Sequence, residues 1–246
     1  MKTGLAVQLT MTQLEAANRL HEQLPQWRDT DSALRALGDR FPEFDIKATL
    51  LKVAAVNQLY GTNVYAVDRM AKHIVGVLSA RDSLNDSDLV KELAVLPGRK
   101  HISFASKFAH FFISSQRFPI YDSIAISMIK FHLGRGKWIK DDAHEYSAFL
   151  QNLDALMQRA QPSLSCDYQA LDRYLWLAGL YKKEKTKPRS EDNQEEDTPE
   201  INREVWNLFK TLSPNGVPVS PLADMLPPEF ANLKPGKPRT KKGKKQ

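Results

Sequence analysis

A chain of 246 residues is long enough for one sizeable core or two small ones, and 42% hydrophobic with 26% charged residues is ordinary for a soluble globular protein. No run approaches the roughly 18 apolar residues of a membrane span, the start MKTGLAVQLTMTQLEAA lacks a signal-like apolar core, and a lone cysteine, Cys166, excludes an intrachain disulfide framework, so a cytoplasmic protein with no membrane partner is expected. The formal charge of +6 belongs to one end: Lys234 to Gln246 hold seven Lys/Arg and no acid, and removing them leaves −1 on the other 233 residues.

Residues 11–24 (MTQLEAANRLHEQL) set Leu14, Ala17, Leu20 and Leu24 at helical spacing. Residues 45–60 (DIKATLLKVAAVNQLY) are apolar on most faces, which predicts a central, buried helix. Gly61 can end it, and Thr62 or Asn63 can cap the helix that follows, VYAVDRMAKHIVGVL. So short a connection implies an antiparallel helix pair. Helical patterns continue through 86–95, 102–114, 123–133, 141–159 and 167–182, and period-2 alternation is nearly absent. The expected fold class is therefore all-α, a multi-helix domain over residues 1–183 with no sheet.

Beyond that domain, residues 184–200 read as a charged linker, because SEDNQEEDTPE holds six acids and no base and has almost nothing to bury. INREVWNLFKTL then offers Ile201, Val205, Leu208 and Leu212, with Trp206 beside them. This predicts an amphipathic helix over 201–213 that docks on the body or on a protein partner. Residues 214–246 are punctuated by Pro and Gly and end in the basic run, so they read as loop and disordered tail. Such a tail can hold polyanions, DNA included, by counterion release without reading sequence.

The stretch 101–125, HISFASKFAHFFISSQRFPIYDSIA, carries the most chemistry. At 100° per residue Phe104, Phe108, Phe111 and Phe112 share one face of a helix, and Ile102, Ala109 and Ile113 lie on another. Between them Ser103, Lys107, His110 and Ser114 form a narrow polar strip that must face a cleft. From Lys107 to Ser115 the helix travels about 12 Å, and the loop Gln116–Asp122 spans up to about 20 Å. Asp122 can therefore come back to Lys107. The residue before Pro119 avoids the α region, which favours an extended approach, and Asp122 or Ser123 is suited to cap the helix IAISMIKFHLG. Two readings stay open: a catalytic amine with its carboxylate, or a buried ion pair in which Asp122 also caps. An amine nucleophile must be neutral, which needs burial or a neighbouring cation; His110, one turn on, supplies one if charged.

Other residues invite paired readings. Asn57, in an apolar helix, is a satisfied core amide or a base-reading group. Tyr60 and Tyr121 line the cleft or pack at the core edge. His73 is a surface or core histidine. GRGKW (134–138), with Lys130 and Lys140 nearby, is a phosphate contact or an ordinary solvated turn. The six histidines show no metal spacing, GxxxxGK[ST], GxGxxG and GxSxG are absent, and no cofactor is expected.

A lysine-bearing helix, a loop and an aspartate opening the next helix together resemble the centre of the helix-hairpin-helix (HhH-GPD) DNA glycosylase superfamily. The segments LLKVAAVNQLYGTN, SFASKFAHFF…FPIYDS and LDRYLWLAG are also similar to small uncharacterised bacterial proteins, and the resemblance spans residues 45–180. It implies that Lys107 attacks the sugar C1′ and that Asp122 supports charge and proton transfer. It also implies that the hairpin LPGRKH (96–101), with Arg99 and Lys100, meets a DNA phosphate, although the second glycine of the family's Leu-Pro-Gly-x-Gly pattern is missing. Ser103, His110, Tyr121, Asn57 and Tyr60 would then surround the ligand. The expected function is a DNA-binding protein of glycosylase-like fold. The alternatives are an active base-excision glycosylase or lyase using Lys107 and Asp122, and an interaction module acting through residues 201–213 and the tail.

Overall fold

The computed structural model describes residues 4–80, 85–96, 98–160, 164, 167–187 and 200–235. Cys166, Pro97 of the hairpin, most of the charged linker and the basic run from 236 onward lie outside the described residues.

Helix boundaries follow local chemistry. Helix α1 (Met11–His21) opens with a reciprocal cap: Thr10 Oγ1 accepts from Gln13 N at 3.3 Å while Gln13 Oε1 accepts from Thr10 N at 2.9 Å. Helix α2 (Pro25–Arg40) starts at a proline, whose fixed φ and missing N–H suit a first helical position. Asp45 caps α3 (Ile46–Tyr60), which ends on Gly61 at φ +56°, a left-handed turn glycine adopts without strain. Helix α4 (Val67–Ser79) packs back on α3, as the short connection implied. Its N-cap is Ala66, not Thr62 or Asn63; Thr62 instead donates to Asn57 Oδ1.

Helix α5 (Asp86–Ala94), capped by Asn85, leads into a two-residue antiparallel ladder, β1 (Val95–Leu96) with β2 (Arg99–Lys100), that turns through Gly98 at φ +87°. This small hairpin is the one strand pair among the described residues, and alternation could not announce two residues per strand. It delivers the chain into α6 (Ile102–Phe112). Then come α7 (Ser123–Leu133), α8 (Glu145–Arg159), α9 (Tyr168–Thr186), α10 (Glu200–Thr211) and the short α11 (Leu222–Met225). The architecture is all-α, and no helix among the described residues is long and apolar enough to cross a membrane.

Two groups of helices meet along a seam. On one side α6 is the buried centre, against which α2, α3 and α5 pack. On the other, α9 packs along α1 and α7, with α11 against α1. Phe104, Ala105, Phe108 and Ala109 of α6, and Leu171, Tyr174, Leu177 and Ala178 of α9, fill the interior. His132 ties the amino-terminal segment to this second group: its Nδ1–H donates to Val7 O and its Nε2 accepts from Tyr174 O–H, both at 2.9 Å.

Three expectations need correction. Helix α3 is peripheral, not central: Val53 and Val56 are buried, but Ile46, Leu50, Leu51 and Leu59 are exposed, because only one of its apolar faces meets other helices. Its buried cation, Lys52, donates to Glu43 O at 2.8 Å and lies 4.0 Å from the Phe44 ring centroid. Second, α2 has no counterpart among the elements read from the sequence. Third, residues 214–235 are not a free tail: Leu222, Met225 and Phe230 are buried in the core.

Candidate functional site

A cavity of about 850 Å³ opens along the seam. Helix α6 gives it Ser103 and Lys107, the start of α7 gives Asp122 and Ile124, and α9 gives Asp172 and Trp176. The opposite wall is the first turns of α2 (Trp27, Asp29, Thr30) and the end of α3 (Gln58 to Gly61), with Asn202 of α10 at the edge.

Ser103 and Lys107 sit one turn apart on α6, so the strip read from the sequence does face a cleft. Lys107 is 5% exposed; its Nζ donates to Ser103 Oγ at 2.9 Å and lies 5.8 Å from the Tyr60 ring centroid. Among the described residues it forms no ion pair with a carboxylate, so the buried Lys107–Asp122 ion pair is not what the fold builds. Burial holds its ammonium below the usual lysine range, while the charges of Asp122 and Asp172 pull it back up.

Asp122 does cap α7: its Oδ1 accepts from Ile124 N at 2.9 Å and from Ala125 N at 2.7 Å. Both cap bonds fall on one oxygen, which leaves Oδ2 outside the cap. The loop before it is tied back by Ser106, whose Oγ accepts from Tyr121 N at 3.0 Å.

Asp172 is the carboxylate that reasoning from the sequence missed. Burial first, then the negative charge of Asp122, hold its carboxyl well above the usual range, with Lys107 opposing. The signal was present in LDRYLWLAG: Asp172 and Trp176 are four residues apart on one face of a helix whose other faces are core. Trp27 was missed with α2, and so was Asp31, which accepts from Tyr60 O–H at 2.6 Å. That bond fixes Tyr60 as a wall of the cavity, with Phe111 5.4 Å behind its ring.

The other candidates lie elsewhere. His110 is buried and its Nδ1–H donates to Phe118 O at 2.9 Å; burial lowers its pKa to about 4, so it is neutral near pH 7 and supplies no cation beside Lys107. Asn57 is a satisfied amide: its Oδ1 accepts from Val64 N at 2.8 Å and its Nδ2 donates to Val64 O at 3.1 Å, shaping the turn after α3. Tyr121 packs edge-on against Phe149 at 5.2 Å and does not line the cavity. Arg99 and Lys100 are exposed on the hairpin, away from it. His73 is half-buried and its Nε2 meets Glu92 O at 2.7 Å. In the GRGKW turn Lys137 donates to Gly4 O and Lys130 lies 4.6 Å from the Trp138 ring centroid, so both have partners within the chain.

The domain family HI_0787_N, described as an N-terminal domain, matches residues 12–116, which take in α1 to α6 and thus Lys107 but not Asp122. An uncharacterised protein of Haemophilus influenzae is 31% identical over 159 residues, covering 60% of this chain and 72% of the relative. No solved structure matches.

Proposed function

The chain belongs to the same family as the Haemophilus influenzae protein, and we propose that this family member is a DNA-binding protein of glycosylase-like, HhH-GPD fold whose cleft receives a nucleotide swung out of the strand. One observation carries this reading: Lys107, Asp122 and Asp172 converge in a single cavity walled by Trp27, Tyr60 and Trp176. Aromatic faces stack on any base, and an unstacked base pays for leaving the duplex with such contacts. About 850 Å³ is room enough for a nucleotide. The α5–hairpin–α6 unit, with Gly98 at its turn and Arg99 and Lys100 exposed on it, suits a strand's phosphates running past the cleft.

A second reading, base excision, is favoured by the environment of Lys107. A lysine bonded to a neutral hydroxyl and kept from water loses its proton more readily than one locked to a carboxylate. The neutral Nζ would add to C1′, the bond from C1′ to the base would break, and the base would leave with its electron pair and take up a proton. Asp172, holding its proton above the usual range, is placed to give it. Nζ then gives up a proton, the C1′–O4′ bond breaks with its electron pair and the proton going to the ring oxygen, and the opened sugar is left as a Schiff base on Nζ.

Two measurements test these readings. A fluorescent base analogue in a duplex should brighten as it unstacks on binding, and Trp176→Ala should weaken that response. Borohydride should trap a covalent adduct on damaged or abasic duplexes with the wild-type chain and none with Lys107→Ala. Brightening without an adduct leaves the binding reading alone standing. Neither signal, on any substrate, overturns both.

A further inference from the structure

A second cavity, of about 390 Å³, lies behind the first, between α2 and the start of α9. The Asp31–Tyr60 bond forms part of the wall between them, since Asp31 lines one and Tyr60 the other. Gln169, with its carboxamide oxygen turned inward, accepts from Arg35 Nη2 at 2.9 Å and from Arg173 Nη2 at 3.2 Å. Two guanidinium groups are thus gathered around one neutral oxygen, and neither forms an ion pair among the described residues. Arg173 Nη1 donates to Asn18 Oδ1, but its buried Nε has no hydrogen-bond partner. His21, 3% exposed, lines the same cavity with both ring nitrogens unbonded; Glu22 Oε1 is 3.6 Å from its Nδ1, too far for a hydrogen bond.

We propose that this cavity is a phosphate-binding site in which Arg35 and Arg173 supply the charge and His21 a neutral N–H donor. Planar guanidinium forks match the oxygens of a phosphate, and an anion between two of them removes their mutual repulsion while giving Arg173 Nε an acceptor. Asp31 on the wall feels the charge of both guanidinium groups, yet among the described residues neither arginine is ion-paired with an acid. Glu22 is turned to Arg28 at 3.5 Å, Asp31 is bonded to Tyr60, and Asp39 is exposed at the rim. The volume exceeds what bare phosphate needs, so the ligand is a phosphate ester, either a free phosphomonoester or a phosphate of a nucleic-acid strand. The site uses none of the cleft's Lys107, Asp122 or Asp172, so it stands or falls independently of the cleft's function.

The test is calorimetric titration of the full chain with inorganic phosphate, and with one oligonucleotide carrying either a terminal phosphate or a terminal hydroxyl. Phosphate should bind, about tenfold or more weaker in Arg35→Gln, and equally well in Lys107→Gln. Asp39→Asn, an exposed change with little bearing on folding, should bind it more tightly. Dependence on Arg35 for inorganic phosphate and the phosphorylated strand alone assigns the site to a phosphomonoester. Equal dependence for both strands assigns it to a backbone diester. Phosphate binding unchanged by Arg35→Gln in a folded variant places the anion elsewhere on the chain and overturns the proposal, as does no binding of any of the three probes.

Discussion

His110 and His132 are each held by a carbonyl acceptor in the core, Phe118 O and Val7 O, and burial lowers both pKa values to about 4. An unfolded histidine titrates near 6.5. The folded state therefore takes up these protons later than the unfolded chain as pH falls, so the stability they contribute is complete above pH 6.5 and is lost towards pH 4. Each is expected to remove about 2 kcal/mol between pH 7 and pH 5. Denaturant melts at the two pH values check this: His132→Gln should be less stable at pH 7 yet show a smaller drop at pH 5. An equal drop in both proteins would mean that His132 is not the buried neutral group described. Asp122 carries two duties that substitution can separate. Asp122→Ser keeps a capping oxygen and should change stability little, whereas Asp122→Ala should cost about 1 kcal/mol. If the carboxylate also works in the cleft, both variants should lose adduct formation to the same degree, and comparing trapping yield with melting midpoint tells the two duties apart.

Helix α6 was legible because its apolar residues cover nearly its whole circumference, so the polar strip stood out as the side that must meet a cleft. Helix α2 was not: PQWRDTDSALRALGDR buries only Trp27 and Leu34, a stripe too thin for periodicity to announce. Its capping partner is also invisible locally. Leu24 offers no side-chain cap, and the N–H groups of Gln26 and Trp27 are met instead by the Glu204 carboxylate of α10, at 3.0 and 3.4 Å. With α2 went Trp27, Asp31 and the cation Arg35, so one side of the cleft and most of the second cavity lay beyond sequence reasoning. The α7–α9 contact shows the same dependence on tertiary packing. A Cβ on Gly179 would sit 2.3 Å from Ile124 Cγ2 and 3.0 Å from Met128 Cγ. Alanine would gain about 1 kcal/mol of helix propensity. Overpacking against β-branched Ile124, two residues from Asp122, should cost about 1–3 kcal/mol and displace the start of α7. Gly179→Ala is therefore expected to be destabilising on balance, which thermal melting reads directly.

Across the whole molecule, the sequence divided the chain at a charged linker, and the far side of that linker turns out to be two things. Residues 200–235 belong to the body. Val205, Phe209, Leu222, Met225 and Phe230 are buried, Tyr181 packs against both Phe209 and Phe230, and Asn202 completes the edge of the cleft. An apolar stripe such as that of α10 says only that something must cover it; whether the cover is the same chain or another is decided in three dimensions. Burying such side chains is worth roughly 1.5–3 kcal/mol each, so losing five of them approaches the roughly 5–15 kcal/mol that holds a domain together. Deleting residues 184–246 should therefore abolish cooperative melting and leave the Trp27 face open to aggregation. Deleting 236–246 alone removes six Lys/Arg and none of those core residues. It should leave the melting temperature unchanged while lowering the slope of log affinity for duplex DNA against log salt by up to about five, since each phosphate contact contributes roughly 0.9. Binding isotherms at several salt concentrations measure that slope. An unchanged slope would show that the basic run does not touch the strand, and would assign whatever DNA affinity the chain has to the body.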